Sequence, residues 1–274
     1  MKKSLLITAI SLIVVGAILF TVALTMLDFS LSTVEYETNT YVIGDTFDKI
    51  SIDVKTTQIA FAQSDDESCK IVCQETEKVK HSAVVRDGTL VIGTTDSREW
   101  YDYIGIFSGR MKLTIYLPQN EYTSLRIDTD TGDVEIPKGF RFERVTVDGD
   151  TADIACYASV SERIEISTDT GEIRLSDAQC KAVSVESDTG DITFTNVVAE
   201  TLWAETNTGD VEFQNSDADS ICVETDTGDV TGTLRSGKVF ACETDTGEVD
   251  VPESTSGGEC RISTDTGDIT LRIH

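Results

Sequence analysis

The chain reads Thr-Asp-Thr-Gly-Asp-Val at residues 129–134, and the phrase returns as Thr-Asp-Thr-Gly-Glu-Ile at 168–173 and Ser-Asp-Thr-Gly-Asp-Ile at 187–192. The turn glycines of the full series are Gly132, Gly171, Gly190, Gly209, Gly228, Gly247 and Gly267. With Ala152 in a degenerate copy, successive positions lie 19 or 20 residues apart. A period of about 20 residues is typical of solenoids, whereas a propeller blade needs about 40. The repeat therefore predicts eight stacked coils over residues 121–274.

Apolar residues alternate on both sides of each turn glycine. Around Gly209, Leu202 and Ala204 precede the glycine, and Val211 and Phe213 follow it. A spacing of two is typical of a strand with one buried face. Each unit is therefore predicted to form two short strands, joined at a glycine that permits the positive φ of a tight bend. We predict an all-β fold, a parallel β-solenoid (β-helix) with coils of about 19 residues and one N-terminal transmembrane helix.

The same register makes predictions for individual residues. Val223 is predicted to be buried in the core, and Asp217 to lie at an outer corner where a charge costs little. Cys242 and Cys260 are predicted to face inward on adjacent coils with an offset of two residues. That offset separates their α-carbons by roughly 8 Å, beyond the reach of a disulfide.

The amino terminus has the pattern of a membrane anchor. Lys2 and Lys3 precede 24 uncharged residues at 4–27, which reach roughly 36 Å as a helix and can cross a hydrocarbon core of about 30 Å. The alternative is a cleaved signal peptide, whose apolar region is normally about 7 to 15 residues. We predict an uncleaved signal-anchor at 4–27, a cytoplasmic tip at 1–3 and an extracytoplasmic remainder.

Residues 28–120 are less regular than the repeats. Residues 52–61 have the same two pairs of alternating apolar residues as the repeats but lack the glycine, and they are predicted to form a degenerate first coil. Asp87 and Gly88 are a hairpin signal between two strand-like runs. We predict that the rest of this segment is an irregular β cap, because a solenoid needs a terminal element that covers its core.

The charge of the chain excludes some functions. Its 22 basic and 49 acidic residues give a net charge of −27, which argues against nucleic acid as a partner. Only two histidines are present, so most histidine-based catalysis and most zinc chemistry are not expected. Some parallel β-helices cleave acidic polysaccharides, but catalysis needs a singular constellation, whereas neighbouring coils here repeat the same residues. We predict that the protein is not an enzyme and has no cofactor, except possible calcium.

Carboxylates form columns beside the predicted turn. One column lies two residues before the glycine and contains Asp130, Asp169, Asp188, Asp226, Asp245 and Asp265. Another lies one residue after it and contains Asp133, Asp191, Asp210, Asp229 and Asp268. Stacked carboxylates about 5 Å apart are candidate ligands for calcium. The alternative is that each aspartate caps its own turn and that the remaining carboxylates form a solvated face.

The repeats, residues 47–52 (Phe-Asp-Lys-Ile-Ser-Ile) and residues 115–118 (Ile-Tyr-Leu-Pro) together resemble the bacterial putative-adhesin family of β-strand-repeat proteins, formerly a domain of unknown function. The resemblance covers residues 40–274. It implies a β-helical extracytoplasmic domain of the kind frequent in Gram-positive bacteria and sometimes associated with envelope-stress systems. The family offers no catalytic residues to carry over.

From these features we predict a single-pass protein of the cell membrane that displays a non-catalytic interaction, adhesin-like, envelope-sensing or structural module. Its partner would be an envelope or surface component that the sequence does not identify. The alternatives are a calcium-binding surface domain and a polysaccharide-active β-helix enzyme.

Overall fold

The computed structural model describes residues 12–18, 22, 35–98 and 111–274. Residues 12–18 and residue 22 are helical. The rest of the predicted anchor at 4–27 and the whole of the predicted tip at 1–3 lie outside the described residues. Within the described residues, no helix combines the length and the apolar character that a membrane crossing requires. The chain divides into two compact units, one of residues 1–35 with 96–109 and one of residues 36–95 with 110–274.

The second unit is built almost wholly of strands. Those before the regular repeats are β1 (Glu37–Ile43), β2 (Lys49–Val54), β3 (Thr57–Gln63), β4 (Cys69–Glu75), β5 (Val79–Arg86), β6 (Thr89–Asp96) and β7 (Met111–Leu117). The repeats form β8 (Glu121–Thr129), β9 (Val134–Ile136), β10 (Arg141–Thr151), β11 (Ile154–Cys156), β12 (Ser159–Thr170), β13 (Ile173–Ser176), β14 (Gln179–Thr189), β15 (Ile192–Thr195), β16 (Val198–Thr208), β17 (Val211–Thr227), β18 (Val230–Leu234), β19 (Lys238–Thr246), β20 (Val249–Asp250), β21 (Gly258–Thr266) and β22 (Ile269–Ile273).

Equivalent strands of successive coils pair in parallel at the predicted period. Leu202 pairs with Ile221 in one sheet, and Ile192 pairs with Val211 in the other. The strand before each turn belongs to sheet B and the strand after it to sheet A, while β17 runs through both. The all-β, solenoid-like architecture expected from the repeat is therefore observed.

The core lies between the two sheets and contains the predicted apolar columns. Leu202, Ala204, Val211 and Phe213 are all buried, as is Val223. Phe194 stacks on Phe213 of the next coil, with ring centroids 5.2 Å apart. No single coil encloses its own apolar face, so coils stabilise each other through stacking.

Coils at both ends are stacked out of chain order. In sheet B, β21 lies between β17 and β19, and in sheet A, β22 lies between β18 and β20. At the other end, the coil of β2 and β3 lies between the coil of β6 and β7 and the coil of β8 and β9. The outer coil at residues 238–251 is accordingly the least buried of the repeats, with Val249 43% exposed.

The segment before the repeats closes sheet A with antiparallel strands. The strand β4 pairs with β7 and with β1, both antiparallel, whereas the other strand pairs along the two sheets are parallel. Asp87 and Gly88 form the predicted turn between β5 and β6, and both have positive φ, as a type I′ hairpin requires.

Cys242 pairs with Ile262 and Cys260 with Phe240, which confirms the predicted two-residue offset, and all seven cysteines are free thiols.

Candidate functional site

The repeated turn brings the backbones of neighbouring coils unusually close. A Cβ atom on any of the seven turn glycines would lie 1.9–2.2 Å from a backbone carbonyl oxygen of the neighbouring coil. At Gly190 the φ angle is also +155°, which L-residues rarely adopt. The requirement that all seven positions share is therefore close approach between coils, whereas the sequence had suggested only the bend.

The aspartates just after the turn glycine are hydrogen-bonded from coil to coil. The Oδ1 atom of Asp191 accepts from the backbone N–H of Asp210 at 2.9 Å, and Asp210 accepts from Asp229 at 2.8 Å. The ladder then skips to Asp268, whose N–H donates to Asp229 at 2.8 Å, because that coil is the spatial neighbour. These carboxylates thus bind the turn of the next coil. The sequence-based alternative to calcium binding had each aspartate capping its own turn.

The aspartates two residues before the turn glycine point outward. Asp169, Asp188, Asp226, Asp245 and Asp265 are exposed, and Asp130 is half-buried. At the position of one aspartate the chain has Asn207, whose Nδ2 donates to Asp188 Oδ1 at 3.4 Å. The parallel register places the members of this column on neighbouring coils, so their oxygens face solvent at the edge of the stack.

A third column of carboxylates crosses the outer face of sheet B. Glu186, Glu205 and Glu224 pair in register, and burial together with the charges of Glu186 and Glu224 raises the pKa of Glu205. On the other side of Ser167 the column continues through Asp148, Asp128 and Asp53. Burial, Asp53 and Asp148 raise the pKa of Asp128 in the same way. Like charges in this column therefore add to the effect of burial in raising these two pKa values.

A shallow depression lies where serine interrupts this column. Its polar lining is Thr146, Asp148, Glu165, Ser167, Ser184 and Glu186. These hydroxyls and carboxylates belong to the repeated pattern of the face, and the lining contains neither an imidazole nor a thiol. The depression therefore lacks the histidine- or cysteine-based nucleophile pairs of acyl-transfer enzymes.

The prediction for Asp217 was wrong. Its side chain is only 12% exposed, and Oδ1 lies 2.5 Å from Nζ of Lys238, whose side chain is 3% exposed. The lysine also donates to Ser236 Oγ at 2.9 Å, and its pairing partner in β21 is Gly258, which has no side chain. A buried ion pair thus replaces the expected exposed corner.

The structure also brings together three residues whose proximity the sequence did not indicate. Cys73, Glu75 and His81 are buried, and their ligand atoms all lie within 4.8 Å of one another. The available signal was a Cys-x-Glu alternation on one strand, with a histidine after a short connection. Because this segment lies outside the repeats, periodicity gave no indication of the cluster.

A family model described as Toastrack DUF4097 matches residues 47–274. No curated protein matches the sequence. Among solved structures, a putative adhesin from Bacteroides fragilis has a TM-score of 0.55 at 18% identity, covering 87% of this chain and 97% of its own.

Two structures from Parabacteroides distasonis have the same fold. One is a putative adhesin with a TM-score of 0.53 at 11% identity, covering 87% of this chain and 97% of its own. The other is a putative lipid binding protein with a TM-score of 0.57 at 16% identity, covering 88% of this chain and 99% of its own. At such low identity the likeness establishes the fold alone.

Proposed function

Because this chain belongs to the Toastrack DUF4097 family, we propose that it is a non-catalytic interaction module of the cell envelope. The relatives of similar fold include proteins described as putative adhesins, which supports an interaction role over an enzymatic one. The family resemblance of the repeats points in the same direction.

The observation that carries this proposal is the regular display of carboxylates. Residues 121–274 contain 34 acidic and 11 basic residues, so they contribute −23 of the net charge of −27. Aspartates repeat on successive coils at the edge of the stack, and glutamates repeat across sheet B. A rigid array of like charges attracts an extended partner of opposite charge and steers its approach. The partner is accordingly a positively charged envelope or surface component.

The anchoring of this module is a further part of the proposal. Lys2 and Lys3, followed by the 24 uncharged residues at 4–27, are typical of a signal-anchor with its amino terminus in the cytoplasm. The acidic unit would then lie outside the membrane, joined to it by a single pass. Alkaline extraction of membranes and protease treatment of intact cells test this: the protein should stay in the pellet, and the acidic unit should be cleaved from outside.

A lysine-rich peptide of about ten residues is a suitable probe for the charge display. We expect it to bind the full-length chain in detergent in a salt-dependent manner. The triple variant Asp188→Asn, Asp226→Asn, Asp265→Asn should bind more weakly, as measured by fluorescence anisotropy.

The matched control removes three exposed charges that do not belong to the edge column, by Glu135→Gln, Glu212→Gln and Glu253→Gln. It should bind the peptide more tightly than the column variant does. Equal losses in the two variants would mean that net charge alone attracts the peptide and that the columns form no interaction surface.

A second candidate function is calcium binding at the same edge. The supporting observation is that the aspartates before the turn glycine point to solvent on neighbouring coils, where oxygen ligands from several coils can converge on one cation. Calcium would then either bridge the module to an anionic partner or stabilise the stack.

A further inference from the structure

A compact cluster of metal-ligating side chains lies near the start of the second unit and contains no residue of the acidic columns. Cys73 and Glu75 are two residues apart on β4, so they point to the same face of the strand. His81 follows on β5 after a short connection, and its side chain is fully buried, as is that of Glu75. The three ligand atoms lie within 4.8 Å of one another, so they face one small buried volume.

The surroundings of Glu75 and His81 are those of metal ligands held by second-shell partners. Oε2 of Glu75 accepts from Asn39 Nδ2, and Oε1 accepts from the backbone N–H of His81, both at 2.6 Å. The ring atom Nδ1 of His81 lies 3.2 Å from Glu75 Oε1, and Nε2 lies 3.2 Å from Thr57 Oγ1. Because a hydroxyl can donate or accept, Thr57 can orient the ring whether Nδ1 carries a proton or offers its lone pair.

Cys73 is the member of the cluster that protein groups leave unsatisfied. Its side chain is completely buried, and in the described part of the chain no hydrogen bond joins its thiol to another group. A cysteine binds a metal as its thiolate, so the thiol proton leaves when a metal binds. A bound divalent cation would replace that proton and balance the charges of the thiolate and the carboxylate. The ammonium group of Lys80, 3.9 Å from Glu75 Oε2, is one further positive charge beside the site.

We propose that Cys73, Glu75 and His81 form a binding site for zinc or a similar divalent transition metal. One sulfur, one nitrogen and one oxygen ligand suit zinc, whereas calcium takes six to eight oxygens. Three protein ligands leave one tetrahedral position for water or another ligand. Binding releases one proton per metal ion, from the Cys73 thiol, and the Nδ1 proton of His81 moves to Nε2.

The experiment loads the metal during folding, because the site is buried. The full-length chain in detergent is unfolded in a denaturant that contains EDTA. After EDTA is removed, the chain is refolded with zinc in the presence of excess calcium, which saturates the acidic columns. After desalting, elemental analysis should find about one zinc ion per wild-type chain. Cys73→Ser and His81→Gln should each lower the zinc content severalfold, whereas Cys69→Ser, which alters a buried cysteine on the same strand, should leave it unchanged.

Substitution of cobalt for zinc gives a readout that does not depend on the folding of a variant. The wild-type cobalt form should show a sulfur-to-metal charge-transfer band, which only a thiolate ligand produces. A wild-type protein that retains no metal would overturn the proposal. So would metal retained equally by Cys73→Ser, or a cobalt spectrum without the thiolate band, since each would place the ion elsewhere.

Discussion

Removing the charge of Asp217 should destabilise the protein strongly. The Asp217→Asn variant leaves the ammonium group of Lys238 buried at 3% exposure without its counter-ion, 2.5 Å from a neutral amide. Breaking one side of a buried ion pair typically costs about 3–5 kcal/mol. For a unit of this size, each kcal/mol lowers the melting temperature by about 2–4 °C, so the expected decrease is about 6 to 20 °C. Thermal unfolding followed by circular dichroism measures it.

Two further variants show whether the buried charge is the cause. Glu162→Gln breaks an exposed pair in which Lys181 Nζ lies 2.8 Å from the carboxylate, and it should change the melting temperature far less. The double variant Asp217→Leu, Lys238→Met removes both buried charges and should recover most of the lost stability. If Asp217→Asn melts no lower than Glu162→Gln, the buried ion pair does not contribute to stability and the reasoning is refuted.

Other perturbations test the core, the turn, the buried histidine and the columns. Val223→Asp buries a carboxylate and should lower the free energy of unfolding, measured in urea, by several kcal/mol. Val239→Asp, at a residue that is 45% exposed, should lower it only slightly. Equal losses of unfolding free energy would contradict the register. Gly190→Ala should lower the melting temperature clearly, because its Cβ would lie 1.9 Å from a carbonyl oxygen, whereas Gly44→Ala has open space and should not. Burial lowers the pKa of His81, so the unfolded chain binds that proton more readily, and the free energy of unfolding in EDTA should fall as pH drops below about 6.5. His81→Gln should remove this slope, since the chain's other histidine is exposed; an unchanged slope would assign the titration elsewhere. Millimolar calcium should raise the melting temperature more than sodium chloride of equal ionic strength, and an equal effect would leave the columns as a solvated face.

The repeat determined strand positions well because burial in this fold has the same two-residue period as the sequence. Leu202 and Ala204 before the turn, and Val211 and Phe213 after it, are buried as their spacing predicts. The periodic pattern could not determine which coils are neighbours, because every coil presents nearly the same edges for pairing. The exchange of the last two coils therefore had no signal in the apolar pattern.

Single polar residues were predicted less well than apolar columns. The position of Asp217 suggested a solvent-exposed corner, but Lys238, from a coil that is not its direct neighbour in sheet B, covers it. The cluster of Cys73, Glu75 and His81 depends on antiparallel pairing around β4, in a segment without a repeat. In both cases the environment comes from a long-range contact that local spacing does not encode.

The exchanged order of the last two coils constrains the sequence of events in which this end of the stack can fold. The ribosome delivers β19 and β20 before β21 and β22, yet the later pair separates the earlier pair from the rest of the stack. If β19 paired first with β17, that contact would have to open again to admit β21. Completion of this end therefore waits until residues 258–273 have emerged, and until then the edge of β17 is unprotected. An edge of this kind invites pairing with other chains, so the interval between delivery of β17 and of β21 is the period of greatest aggregation risk.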